Sequence, residues 1–366
     1  MSRPAHPHPA SVRTGPNGRA LTGLRGIAAV VVVLHHLLLR LGATAAVPGI
    51  GLRGYLAVDL FFILSGFVMA LGYGTWFAGI QPWREYVIFL SRRVARVWPL
   101  HTAVLALLLL DGVLRHTGEY WPRMAAANLL LMQSWGFSQT VITPAWSVST
   151  EMFAYILFPL LGGIALRRSP RVAWLGFAGA AGLLVLAVSL ASGHDPGQRG
   201  ALDLHRNWSL LPLMRCVGGF GAGMLTWRAL RDARVWVWAG RPAVAGLAGL
   251  GIVLLLLGGA PDLVVVMLFP VLIAGVYAGR NAVVRGLGSP PCVALGTGSY
   301  ALYLVHYPLL SLAGGLVGRA WLVPLFLGLV IPATLAGCYL VERPAQVLLR
   351  RWSAHVLRPV PGLAAP

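Results

Sequence analysis

Apolar residues run almost without interruption over stretches near 21–41, 56–75, 97–114, 146–166, 172–192, 210–228, 241–259, 262–279, 291–316 and 320–342. Each approaches the roughly 20 residues that a helix needs to cross the hydrocarbon core of a bilayer. The pattern predicts an all-α polytopic membrane protein of about ten transmembrane helices. Residues 122–140 are apolar but short and broken, and are expected to form a re-entrant or interfacial segment at the outer surface. The first 20 residues, with Pro4, Pro7, Pro9 and Pro16 among Arg and His, read as a disordered cytoplasmic tail. No small-residue cleavage site follows the first apolar run, so a cleaved signal peptide is not expected. The organisation is then a tail (1–20), a membrane domain (21–342) and a cytoplasmic C-terminal tail (343–366).

Composition supports the pattern. Of 366 residues 57% are hydrophobic and only 11% charged, against about 25% charged in soluble domains, which excludes a water-soluble globular enzyme. The net charge of +19 comes from 29 basic residues, all Arg. The absence of Lys has the look of nucleotide-composition bias. In so apolar a chain the basic excess points to positive-inside topology and not to nucleic acid. With the N-terminus inside and about ten crossings, 21 of the 29 Arg fall on the cytoplasmic side, among them Arg167, Arg168 and Arg171. An eleventh crossing at 122–140 would put that cluster outside. Both termini are therefore expected in the cytoplasm, with the chain in the plasma (inner) membrane. Cys216, Cys292 and Cys338 lie in or beside apolar runs and suggest neither a disulfide framework nor a metal site.

Ionisable groups inside spans are expensive and by default mark substrate, ion or proton sites. With only ten acids in the chain, Asp59 in YLAVDLFFILSGF, Glu151 in PAWSVSTEMFAYILFP and Glu342 at the close of the last run are informative. Arg25 and His36 are separated by about 1,100° of helix, three turns plus about 20°, so they share one face about 16 Å apart along the axis. His35 points about 100° away. A cation at the mouth and an imidazole deep in the wall suit a ligand with an anionic head and a thin reactive arm. Equally, Arg25 can snorkel to lipid headgroups while His36 bonds to a neighbouring helix. Arg93 and Arg96 in FLSRRVARVWPLH are helix neighbours placed before the third span, a good phosphate clamp or a plain positive-inside anchor. Glu151 either caps its helix dipole or orients an imidazole or sugar hydroxyl; Asp59 admits the same two readings. In GSYALYLVHYP, His306 and Tyr303 share one side of the helix, and His306 alone reads as a packing histidine. Glu342 beside Arg343 suggests a helix-end ion pair. No P-loop, GxGxxG, GxSxG or HExxH motif is present.

In order along the chain these segments resemble the acyltransferase-3 family of integral membrane O-acyltransferases, over about 20–343. Arg25 and His36 match the family's Arg, ten residues, His signature, with His35 in a neighbouring position that is usually aromatic. VDLFFILSGF matches the second-span motif around Asp59, and Arg93, Arg96 and Pro99 match an RxxR-x-x-P element. Trp146, Ser147 and Glu151 resemble W-S-L-S-x-E, with Met152 where a second acid is common. Ser299, Tyr300, Tyr303, His306 and Pro308 match the late Ser-Tyr, Tyr-Leu, His, Pro element. The resemblance implies transfer of an acetyl or short acyl group from acyl-CoA, a co-substrate and not a bound cofactor, to a hydroxyl. The acceptor would be a glycan, a glycolipid or a glycosylated small molecule. His36 would be catalytic, as base or acyl carrier, with Glu151 beside it; Arg25, Arg93 and Arg96 would hold acyl-CoA. Tyr303, His306 and Asp59 would contact the acceptor or the oxyanion. Some relatives carry an extra extracytoplasmic hydrolase-like domain; with 24 residues after Glu342, none is expected here. The rival reading is a proton-coupled transporter of a small anionic or sugar solute, since intramembrane Asp, Glu and His also build proton relays.

Overall fold

The computed structural model describes residues 16–74, 82–114, 122–166, 170–191, 199–204 and 208–356. Among them there are helices and connecting turns but no strand. The helices are α1 (Pro16–Leu41), α2 (Pro48–Arg53), α3 (Ala57–Tyr73), α4 (Pro82–Leu114), α5 (Pro122–Leu129), α6 (Trp146–Ala165), α7 (Pro170–Ala191) and α8 (Leu211–Ala229). They continue as α9 (Ala233–Ala239), α10 (Pro242–Leu257), α11 (Asp262–Ala278), α12 (Ala282–Leu287), α13 (Pro290–Thr297), α14 (Ser299–Leu316), α15 (Arg319–Ala336) and α16 (Arg343–Val356). Arg167 and Arg168, expected in the cytoplasmic set, lie outside the described residues, as does most of the N-terminal tail.

Every apolar run contains one of the longer helices. By length and hydropathy, five described segments are able to cross a membrane, or six if the pair Ala233–Ala239 and Pro242–Leu257, bent by 67°, counts as one span. α11 is apolar but shorter. The outward faces of the long helices carry Leu107, Leu110, Leu160, Leu175 and Leu340, with Trp83, Trp174, Trp208 and Trp321 also exposed. That is the surface of a protein solvated by lipid with aromatic residues at the interfaces.

Several boundaries differ from the sequence expectation. The third run is only the second half of a 33-residue helix, with Pro99 inside it, so Arg93 and Arg96 belong to the span's own helix. The run 291–316 is two helices, broken at Gly298, whose N–H bonds to Ala294 O. The last span passes through a π-helical turn, Gly337–Glu342, and continues into α16, so residues 343–356, read as tail, extend the helix. A π turn rotates the following side chains relative to an α-helix and is frequent at functional sites.

The segment 122–140 is one short helix followed by irregular chain with Leu131 at φ 57° and Gly136 at φ 93°. Irregular backbone inside a membrane protein needs internal hydrogen-bond partners. Buried Asn128 supplies them: Nδ2 donates to Met124 O and Gln139 O, and Oδ1 accepts from Val141 N.

The core is centred on α3, which runs against α8. A Cβ placed on Gly66 would lie 1.9 Å from Phe220 O, and one on Gly223 would lie 1.8 Å from Ile63 O. Helices in lipid associate largely through packing, and small residues let their backbones approach. The same device joins α1 to α13, where a Cβ on Gly296 would lie 1.9 Å from Thr22 O.

Candidate active site

Two chambers lie end to end within the bundle. The first, about 420 Å³, is lined by Arg25, Arg93, Arg96, Glu151, Tyr155, Ser299, Tyr300 and Glu342. The second, about 330 Å³, is lined by His35, His36, Arg40, Tyr55, Trp146, Arg199, Asp203, Arg215 and Tyr307. Among the described residues, Tyr303 alone lines both. Its hydroxyl shares a hydrogen bond of 2.8 Å with Ser147 Oγ, and its ring packs edge-on against Phe61 and beside His306.

His36 and His306 meet across α1 and α14, with His36 Nδ1 3.0 Å from His306 Nε2. His306 is fully buried, and its Nδ1 lies 2.7 Å from Tyr303 O and 3.2 Å from Leu302 O. A carbonyl oxygen only accepts, so His306 Nδ1 carries the proton and, in the neutral ring, Nε2 carries the lone pair. His36 Nδ1 must then donate to it. The network thus assigns His36 a bare Nε2, the form that accepts a proton or attacks a carbonyl carbon. Tyr307 packs edge-on against the His36 ring at 5.2 Å. His35 is turned away and buried, its Nδ1 3.0 Å from both Ile50 O and Gly51 O. Both line the second chamber, but His35 is tied to the α1–α2 corner while the His36 ring is supported by His306.

The first chamber is cationic. Arg25 donates from Nε to Ser299 Oγ (3.0 Å) and from Nη2 to Gly296 O (2.7 Å). The Arg93 guanidinium sits between the rings of Tyr73 and Tyr155 and donates to Tyr73 OH at 3.3 Å, while its buried Nε makes no hydrogen bond. The carboxylate of Glu151 accepts from Tyr155 OH at 2.5 Å. Glu151 therefore belongs to the cationic chamber, and the ring partner of His36 is His306 rather than a carboxylate. The π turn brings Glu342 to the wall of this chamber, with Oε1 buried and unbonded and with Arg96, Arg25 and Arg343 all near enough to act on its charge.

Asp59 is fully buried on α3 and is gripped by Arg215 of α8: Nε to Oδ1 at 2.9 Å and Nη2 to Oδ2 at 2.7 Å. Arg215 was not singled out from the sequence. Its signal was available, because an Arg interrupts the apolar run LPLMRCVGG and intramembrane cations are rarely idle. Sequence reasoning likewise gave no sign of the two-chamber division, nor of His306 as the ring partner of His36.

The geometry defines a membrane-embedded site with a supported imidazole on one side of a tyrosine and a set of arginines on the other. The acyltransferase-3 family model, described as an acyltransferase domain, matches residues 19–343. The chain belongs to this family. It is similar to the acyltransferase MdmB of Streptomyces mycarofaciens, 30% identical over 94% of this chain and 95% of that protein. A second relative, protein 2 in the picA locus of Rhizobium radiobacter, is 42% identical over 46% of this chain and 88% of its own length. No solved structure matches the chain.

Proposed function

We propose that this acyltransferase moves an acetyl or short acyl group from acyl-CoA to a hydroxyl of a glycan, a lipid-linked sugar or a glycosylated small molecule. The observation that carries the reading is His36, backed by the buried His306, in a chamber that shares Tyr303 with a chamber lined by Arg25, Arg93 and Arg96. In this reading the ten longer helices cross the plasma membrane with both ends in the cytoplasm, and the arginine chamber opens inward.

Arg93 and Arg96, with Arg25, would take the phosphates of CoA, since guanidinium groups bind phosphate oxygens through paired, charge-assisted bonds. The thin pantetheine arm would pass Tyr303 and bring the thioester to His36. His36 Nε2 takes the proton from the acceptor hydroxyl as its oxygen bonds to the thioester carbon. The C–S bond then breaks, and the proton on His36 passes to the departing thiolate. General-base help of this kind is worth about 10²–10⁴-fold. The same lone pair would serve an acyl-imidazole route. We favour direct transfer because the two chambers meet at one residue, so donor and acceptor can be held at once.

The test compares cells expressing wild type and His36→Ala, with both proteins verified in the membrane. Mass spectrometry would survey lipids, glycans and secreted small molecules for one added acetyl group. A species acetylated only with wild type names the acceptor. If no such species exists and the purified protein releases no thiol from acetyl-CoA, the reading fails and the proton-coupled transporter takes its place.

A further inference from the structure

Arg215 heads the large side chains that are fully buried, and it lines the same chamber as His36. We propose that Arg215 is a further catalytic residue, donating a hydrogen bond to the oxyanion that forms on the thioester carbonyl, and that Asp59 is its positioning residue. This rests on the acyl-transfer reading above.

Three observations carry it. First, the guanidinium is immobilised. Nε and Nη2 engage the two oxygens of Asp59, and Nη2 also donates to Tyr55 O at 3.2 Å. Its Cζ lies 5.2 Å from the centre of the Trp146 ring and 5.9 Å from the centre of the Tyr55 ring. Tyr55 is itself held, its hydroxyl donating to Asp262 at 2.7 Å. Second, these bonds leave Nη1 unused, and Nη1 is not among the buried polar atoms without a partner. In a residue that lines the chamber, it is the nitrogen left to meet a ligand there. Third, three other polar groups of the chamber are differently employed. His35 Nδ1 is bound to backbone, the Tyr303 hydroxyl is bound to Ser147, and Arg199 is partly exposed and paired with Asp203.

Energetics point the same way. Removing two ions from water costs about as much as their attraction returns, so a buried pair is a weak source of stability compared with apolar packing. A preorganised donor in a dry site is a strong catalyst, since it needs no reorganisation when charge develops. As the acceptor oxygen attacks, the C=O π electrons move onto oxygen, and Nη1–H stabilises the resulting negative charge. When the intermediate collapses, the electrons return, the C–S bond breaks and the thiolate takes its proton from His36. Arg215 gives up no proton, so it ends each turnover as it began.

The experiment uses full-length protein purified in octyl glucoside, which supplies glucose hydroxyls as the acceptor probe, with thiol release from acetyl-CoA as the readout. Asp59→Asn with Arg215→Gln replaces the ion pair by two amides and leaves no lone buried charge. The expected result is a fall in kcat of about 100-fold or more, while the KM for acetyl-CoA and the binding of S-ethyl-CoA, a thioether without the carbonyl, stay within about twofold. A folded double variant with kcat within about threefold of wild type would show that the pair is merely structural and overturn the proposal. Should that variant not reach the membrane, Arg215→Lys decides. It keeps a cation beside Asp59 but lacks the second nitrogen, so a loss in kcat of about tenfold or more is expected, and wild-type kcat overturns the proposal. Absence of thiol release from wild type would instead bring down the acyl-transfer reading itself.

Discussion

Tyr303 and Ser147 join their hydroxyls at 2.8 Å at the one place where the two chambers meet. Ser147 sits on the first turn of α6 and also donates to Pro144 O at 3.2 Å, so this barrier is anchored to a helix end and is not a loose flap. In the proposed reading the reactive arm of the donor would pass this pair. Tyr303→Trp adds bulk there without adding charge. Thiol release should fall by about tenfold or more while S-ethyl-CoA still binds, because only the route to the imidazole is narrowed. Binding and turnover falling together would place Tyr303 in the donor site instead.

His36→Ala should abolish transfer, since it removes the bare Nε2. His35→Ala should retain a substantial part of kcat and show its defect elsewhere. The His35 ring closes the α1–α2 corner through two backbone carbonyls, so stability should fall by about 1–3 kcal/mol for an unsatisfied buried group, read as a lower thermal unfolding midpoint. Equal loss of turnover from both folded variants would remove the distinction between them.

His306 acts through His36, so its variants should separate positioning from folding. His306→Gln keeps an acceptor for His36 Nδ1–H and should retain more activity than His306→Ala. In the alanine variant kcat should drop by about tenfold or more with the KM for acetyl-CoA unchanged. Identical loss in both, with the donor KM also raised, would mean that His306 contacts substrate directly.

Arg93→Ala with Arg96→Ala should raise the KM for acetyl-CoA by about tenfold or more, charge-assisted bonds being worth about 1.5–3 kcal/mol each, while kcat changes little. The effect of added salt on donor binding should weaken in parallel. An unchanged dependence on donor concentration would remove these arginines from the phosphate site.

Gly223→Ala tests the packing on which both chambers rest. Its Cβ would lie 1.8 Å from Ile63 O and 2.8 Å from Phe67 N, both backbone atoms. α3 and α8 must then separate, at a cost of about 1–3 kcal/mol or more. The thermal midpoint should fall, and activity should be lost with it because Asp59 and Arg215 stand on these two helices. Gly163→Ala, with open space around its Cβ, is the matched control and should be neutral.

The helices were legible because apolar runs of spanning length leave few alternatives, and their ends were less so. The break at Gly298 and the π turn at Gly337–Glu342 depend on how neighbouring helices pack, which hydropathy does not encode. Arg25 and His36 were readable as one stripe from helical period alone, and they do face consecutive elements, α13 and α14. Their partners were not readable. His306 is 270 residues from His36 and Arg215 is 156 from Asp59, and no local pattern carries a pairing over such a distance. Glu151 was read as orienting the imidazole or holding the acceptor; it lines the arginine chamber, where its carboxylate accepts from Tyr155, one turn along the same helix.

The single tyrosine shared by the two chambers carries a consequence for traffic across the bilayer. A carrier as large and as charged as CoA has no need to leave the compartment it comes from if only its acyl end has to slip past Tyr303. In the proposed reading the cargo would change chambers while the vehicle stays behind. The inner half would be held constant by one universal donor. The second chamber, around Arg40, Arg199 and Tyr307, would in that reading be free to be re-cut for each new acceptor without disturbing the delivery side.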